Sequence, residues 1–478
     1  MRRLLSLCVL FLLQNVAAWS FSRRHKTLPN LSVEPVEPKA FPLQTPHSGR
    51  HFLPSHSAYR QPFWRFFSKH RGNARFTEGW YYRLTLEDVS FAIIISIEDP
   101  GHRPSSDLRL ACIQVVGPRD GYIVQANRDD SLFWAWDRQQ GLGCNFEYKP
   151  GYDKHVMKMQ TNLSPEVWRK TVQSGFQILP THFLGRVRGR DGTVGGLFDE
   201  TDEVGTCDFD FRVVPLCGWG DVNGAQKSTA GWLASFEVFE PHWQVTMADA
   251  RASGQITWNN QTYHFVDAPF YAEKNWGAAL PTKWYWTQCN SFDGYQQLSV
   301  TAGGGIRSIP FGRKESLGMV SIHYNGKLYE AVPWTGTMRW KVSTWGYWEL
   351  EGNCTVGDRP FEARIVYECD PDETKGLVFR APTPDEGMVR FCKDTFEAKT
   401  TLSLWELEWD PATKSFLRKK GPPLIDRAQS TQGGAEIGGG PWWDEWERVS
   451  ELKQPIRALL RLPVRLKTLR KRLKRRVS

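Results

Sequence analysis

No two of the nine cysteines form a CxxC pair, so the sequence offers neither a zinc-site spacing nor an obvious disulfide framework. A P-loop, an HExxH, a GxSxG elbow and a GxGxxG opening a helix are also missing. Their absence removes the usual signatures of nucleotide-phosphate binding, zinc peptidases and α/β-hydrolases. Gly303-Gly304-Gly305 and Gly438-Gly439-Gly440 lack the Lys-Ser/Thr or following helix that phosphate binding needs, and read as bulges or tight corners. No metal or nucleotide cofactor is indicated. Acidic residues are absent from Lys453 to the end, where eleven lysines and arginines fall. The net charge of +9 therefore sits in the tail. The remaining body is mildly acidic, which argues against a nucleic-acid partner.

What the chain has in excess is aromatic: 22 Trp, 27 Phe and 14 Tyr, 13% of its residues. Such ring surface suits a large apolar pocket, and a β-rich core explains part of it. At 478 residues the chain exceeds one ordinary core, so two domains plus tails are expected.

The N-terminus begins with Arg2 and Arg3, then an apolar run from Leu4 to Leu13 that is too short to span a membrane, then small residues. This reads as a signal peptide over about residues 1–20, cleaved after Ala18 or Ser20. The second cleavage leaves Phe21 leading a basic stretch with no acid before Glu34. That pattern resembles the bipartite leader of algae with secondary plastids, ending by residue 49. Simple secretion is the alternative, and the sequons at Asn162, Asn260 and Asn353 are compatible with it. In the tail, 447–478, Leu459, Leu462, Leu466, Leu469 and Leu473 form one apolar stripe on a basic helix interrupted by Pro463. Such a helix suits an anionic membrane or lipid-droplet surface; a solvated tail, or docking on the protein itself, are the other readings.

The body reads as strand. FAIIISIED (91–99) and GYIVQA (121–126) have strand patterning. GMVSIHYNGKLYEAVPW predicts a hairpin turning at Asn325-Gly326, and ITWNNQTYHF another at Asn259-Asn260. KWYWTQCN places Trp284 and Trp286 on one face and Tyr285 on the other. MRWKVSTWGYWEL and TLSLWELEW continue the pattern. The only fair helix is SPEVWRKTVQ, with Ser164 as cap and Pro165 in the first position. Barrels or sandwiches follow, with halves dividing near 225–265, written as domains 50–240 and 241–446.

One stretch concentrates chemistry: DAPFYAEKNWG, Asp267 to Gly277, with two acids, a lysine, an amide and three aromatics. It is either a decorated corner or an acid held over an apolar substrate.

Several stretches together resemble the tocopherol cyclase family, plastid enzymes of vitamin E synthesis: FTEGWYYRLTL, SLFWAWDRQQGLG, STAGWLASFEVFEPHWQVTMA, DAPFYAEKNWGAALPTKWYWTQCN, VPWTGTMRWKVSTWGYWEL and AEIGGGPWWDEW. They cover about residues 50 to 446. A wider resemblance reaches carotenoid hydratases and related proteins built from two lipocalin-like β-barrels. In those, a Trp-Trp-Tyr-type motif is followed by a Tyr-x-Asp-His-x-Trp-Gly-type motif whose Asp is thought to protonate an alkene. Trp80-Tyr81-Tyr82 and Tyr271 to Gly277 stand in these places, with Glu273 for the Asp and Lys274 for the His.

The resemblance implies an all-β, mainly antiparallel fold of two lipocalin-like barrels with few helices. It also implies a ring-closing isomerase, without cofactor, that joins the hydroxyl of a prenylated quinol to its own side-chain alkene. Glu273 would be the acid, kept neutral by burial, with Lys274 pointing to the opposite strand face. Asp267 and His242 are candidates to take the phenolic proton, and Tyr81 and Asn275 to orient the head group. Trp80, Tyr82, Tyr271, Lys274, Trp276, Trp284 and Trp286 complete the expected substrate-binding set. Plain readings stand beside these: a turn acid at Asp267, a core histidine at His242, packing at Trp276, and a strand start at Trp80. The alternative functions are a lipocalin-like carrier of prenylquinones or pigments and an alkene hydratase on the same scaffold. A plastid location, peripheral on a membrane or plastoglobule, is expected.

Overall fold

The computed structural model describes residues 76–461 apart from 100–107, 137–139, 153–161, 190–204, 232–240, 278–279, 310–312, 358, 384–385 and 454–455. The expected leader, and the tail stripe from Leu462 onward, lie outside these residues.

Eleven antiparallel strands make the first sheet. They are β1 (Thr77–Thr85), β2 (Ser90–Glu98), β3 (Leu110–Val116), β4 (Tyr122–Asn127), β5 (Phe133–Ala135) and β6 (Leu142–Tyr148), followed by β7 (Val172–Ile178), β8 (His182–Arg188), β9 (Thr206–Cys217), β10 (His242–Trp258) and β11 (Gln261–Gly277). Their spatial order is β4-β3-β2-β1-β11-β10-β9-β8-β7-β6-β5. The sheet is open but curls around a core, and Gln125 on β4 reaches across to Ser174 on β7 and to the Arg188 backbone on β8. α1 (Pro165–Thr171) starts as its sequence predicts, with Ser164 accepting from the Val167 backbone and Pro165 in the first position. It stops earlier than expected, at Thr171, because the β-branched Val172 opens β7.

The second sheet comprises β12 (Lys283–Cys289), β13 (Leu298–Ile309), β14 (Arg313–Tyr324), β15 (Lys327–Ala331), β16 (Thr337–Val342) and β17 (Tyr347–Val356), followed by β18 (Arg359–Glu368), β19 (Leu377–Thr383), β20 (Gly387–Asp410), β21 (Ser415–Arg418), β22 (Ile425–Gly439) and β23 (Trp446–Ser450). Eight of these close into a ring, β12-β13-β14-β15-β17-β18-β20-β22, sealed where Glu330 meets Thr355. The two-barrel all-β architecture therefore holds, with one barrel closed and one incomplete.

Both predicted hairpins are present. Asn259 (φ 53°) turns β10 into β11, while Asn325 (φ 48°) and Gly326 (φ 76°) turn β14 into β15 with the paired positive φ that such two-residue loops need. Two expectations are corrected. The sheets change over between Gly277 and Lys283, beyond the expected boundary at 240/241, because β10 and β11 pair back onto β9 and β1. Gly303-Gly304-Gly305 is no bulge: it runs in unbroken register opposite Trp286, Tyr285 and Trp284. A Cβ on Gly304 would lie 2.5 Å from the Tyr285 ring, so the strand omits side chains where aromatic rings lie flat on it. Gly439, with φ 66°, does mark a corner.

Three large apolar clusters result. One fills the curl of the first sheet, one the interior of the closed barrel, and a third lies between, with Tyr81, Ile94 and Tyr271 from the first sheet against Trp284, Trp286 and Phe396 from the second. The buried Arg83 ties the two sheets, donating to the side chain and backbone of Gln288 and to the Gln432 carbonyl. The first described turn of the tail, α2 (Ile456–Arg461), docks on the protein itself, with Arg457 and Arg461 donating to the Trp334 and Thr335 carbonyls.

Candidate active site

The stretch DAPFYAEKNWG is the second half of β11, and strand alternation divides its chemistry between two faces. Phe270 and Ala272 enter the core of the first sheet, whereas Tyr271 faces the cluster between the sheets. Glu273 and Asn275 share the Tyr271 face and line a cavity of about 210 Å³. Trp243, Trp284, Trp286 and Tyr81 form much of its wall, and Gly303 to Gly305 form a flat side.

Glu273 is buried, and four neutral groups donate to its carboxyl. Oε2 accepts from the Tyr271 hydroxyl at 2.6 Å, from Trp243 Nε1 at 2.7 Å and from Trp286 Nε1 at 2.9 Å. Oε1 accepts from Asn275 Nδ2 at 3.1 Å. Burial raises the carboxyl above its ordinary pKa, and the four donors pull the other way. The arrangement suits an acid that must be neutral at rest and stable once ionised. Three donors on Oε2 leave Oε1 as the oxygen to carry the proton, and an Asn275 amide turned over would accept from it.

Tyr81 lies opposite Glu273 in the β1–β11 register. Its ring packs on Trp286 at 5.1 Å and on Tyr271 at 6.5 Å. Its hydroxyl is buried without a hydrogen-bond partner among the described residues, a polar atom available to a ligand. Trp284 Nε1 donates to Glu436, a second buried carboxyl in the cavity wall whose pKa burial also raises.

Other expected residues stand elsewhere. Lys274 points to the opposite face, where its Nζ lies 2.5 Å from Glu78 Oε1 and 4.5 Å from the Trp276 ring centroid. It supports the wall from behind and is not part of the lining. Tyr82 packs on Phe183 and Phe270 inside the first core. Trp80 joins that core while bordering the cavity. Asp267 is exposed at φ 55°, with its N–H donating to Ser253 Oγ. Six residues of extended strand, about 20 Å, separate it from Glu273; it sits in a bulge within β11, at the register shift between the Phe265 and Ala268 pairs, and not in a turn. His242 borders the cavity, stacked on Trp276 at 4.7 Å, and burial lowers its pKa to about 3. It is neutral and weakly basic.

Sequence reasoning did not single out Trp243 and Glu436, which line the cavity. Each lies inside a stretch that carries the family resemblance, EPHW for one and AEIGGG for the other, and that is the signal that singles them out.

The chain belongs to the tocopherol cyclase-like family, whose model matches residues 74–439. Tocopherol cyclase, chloroplastic, of Zea mays is 34% identical over 461 residues, spanning 93% of this chain and 88% of the maize protein. Probable tocopherol cyclase, chloroplastic, of Oryza sativa subsp. japonica is 36% identical over 425 residues, 86% of this chain and 82% of its own. Among solved structures, CghA in complex with Sch210972 matches with a TM-score of 0.40 and 11% identity, over 84% of this chain and 98% of that one.

Proposed function

We propose that this protein is a tocopherol cyclase, an isomerase that closes a prenylated benzoquinol to a chromanol, and that Glu273 is its acid. The observation that carries the residue assignment is the Glu273 carboxyl, buried in the cavity wall with four neutral donors. An unactivated alkene is a weak base, so its protonation needs a neutral acid whose conjugate base is strongly stabilised. Burial supplies the first condition and the four donors the second. Protonation puts positive charge on the tertiary carbon, which indole and phenol faces stabilise without capturing. The aromatic wall also keeps water from the cation; water entry would give a tertiary alcohol. The quinol oxygen then closes the ring. Tyr81 and Asn275 would hold the head group.

The protein acts in the plastid, in keeping with the chloroplastic relatives. The bipartite leader would deliver it there. The basic residues beyond α2 would hold it on a membrane or plastoglobule surface, where its apolar substrate resides.

The test is turnover of a reduced phytyl-benzoquinol by the purified protein in heavy water. The expected product is a chromanol with one deuterium on the carbon beside the new ether centre, lost with Glu273→Gln while substrate still binds. Bound substrate returned unchanged by wild type would make the protein a carrier; a deuterated tertiary alcohol would make it a hydratase.

A further inference from the structure

We infer that Glu436 is the base that receives the phenolic proton, with Asp394 behind it holding the one proton the two carboxyls share; this rests on the cyclase reading. Glu436, on β22, lines the cavity. Asp394, on β20, is its direct cross-strand partner, so both side chains leave the same face of the sheet. Asp394 is 2% exposed, and its carboxyl has no side-chain hydrogen-bond partner among the described residues. Adjacent carboxyls in apolar surroundings do not both ionise.

Which of them holds the proton follows from their neighbours. Trp284 Nε1 donates to Glu436 and stabilises its ionised form, whereas Asp394 has no side-chain donor and only the Thr395 backbone N–H near its carboxyl. Burial raises both groups, and the charge on Glu436 raises Asp394 further, against the pull of Arg83. The two terminal nitrogens of Arg83 donate to Gln288, Ser90 and the Gln432 carbonyl, and neither donates to Asp394. The pair is therefore a carboxylate facing the cavity and a carboxylic acid behind it. Other candidates for the phenolic proton are poorly suited, since His242 is held near 3 and Asp267 is exposed.

The two glutamates stand on different sheets, so the proton enters from one wall and leaves by the other. The proton of Glu273 forms the new C–H bond. The phenolic oxygen forms the C–O bond as its O–H bond breaks toward Glu436. Glu273 is then ionised and Glu436 neutral, and one proton passed between them through solvent restores the resting state.

Glu436→Gln and Asp394→Asn, in the full chain with reduced phytyl-benzoquinol in heavy water, test this assignment. In Glu436→Gln, chromanol formation should fall about a hundredfold or more. Glu273 still protonates the alkene in that variant, so the recovered quinol should carry vinylic deuterium each time the cation gives up its original proton and keeps the deuteron. Asp394→Asn imitates the protonated acid and should still form chromanol, with the pH–rate profile losing the step set by the shared proton. Chromanol formed at the wild-type rate by Glu436→Gln would overturn the assignment. So would chromanol loss with unlabelled quinol, which would make Glu436 the acid or a purely structural group. A folded but inactive Asp394→Asn would overturn the shared proton even where Glu436→Gln fails to fold. Failure of the cyclase reading looks different, because wild type itself would then make no chromanol.

Discussion

Strands β1 and β11 bury two glutamates on opposite faces of one sheet, and the two are neutralised in different ways. Glu78 meets a buried ammonium, Lys274, with both side chains at most 2% exposed. Glu273, opposite Tyr81 on the other face, meets two indoles, a phenol and an amide. A lysine partner holds the first carboxyl in a buried pair, which makes a structural tie. Neutral donors leave the second free to hold a proton in one state and to be stabilised without it in the next. The difference between the tie and the proposed acid is the kind of partner, since burial is common to both.

A cation given to Glu273 should turn it into a second tie. Asn275→Lys should hold Glu273 ionised, lowering its pKa by about 1–3 units, and so reduce turnover about ten- to a thousandfold at neutral pH. Activity should return as pH is lowered, and a pH–rate profile checks this. On the other face, Lys274→Met leaves Glu78 buried without its ammonium and should cost about 3–5 kcal/mol of stability by denaturant unfolding. Adding Glu78→Gln should recover much of that loss, with cyclisation by the folded fraction unaffected. The smallest effect sharpens the comparison. Trp243→Phe removes one of four donors and should slow cyclisation about tenfold, the low end of what a hydrogen bond to a charged group contributes. That donor favours the ionised form, so its loss raises the Glu273 pKa, and the alkaline fall in rate should move to higher pH.

Much of this contrast was legible in the sequence, because alternation along one strand is a local property. Glu273 and Lys274 had to face apart once DAPFYAEKNWG was extended. The hairpins at Asn259 and Asn325 were legible for the same reason, since their turns demand positive φ from the residues present. What could not be read was decided by pairing between distant segments. Nothing near Asp267 announces the local φ of 55° that leaves it in solvent. The domain boundary was displaced because β11 pairs with β1, nearly two hundred residues earlier, as in Gly277 opposite Thr77. Glu436 and Asp394 become neighbours only through the β20–β22 register. His242 was visible as a polar residue in an aromatic setting, but the burial that lowers its basicity belongs to the tertiary structure.

The bare stretch of β13 has a consequence for how such a protein diversifies. A methyl group at Gly303 would stand 3.4 Å from the Trp243 ring, at the edge of ordinary contact. The width of the chamber there is thus set by one carbon atom, and a single nucleotide change from a glycine to an alanine codon supplies it. The strand that fixes how bulky a guest may be is not one that carries an acid. The indole it faces, Trp243, also donates to Glu273, so a change of width at Gly303 bears on the proposed acid through that one ring.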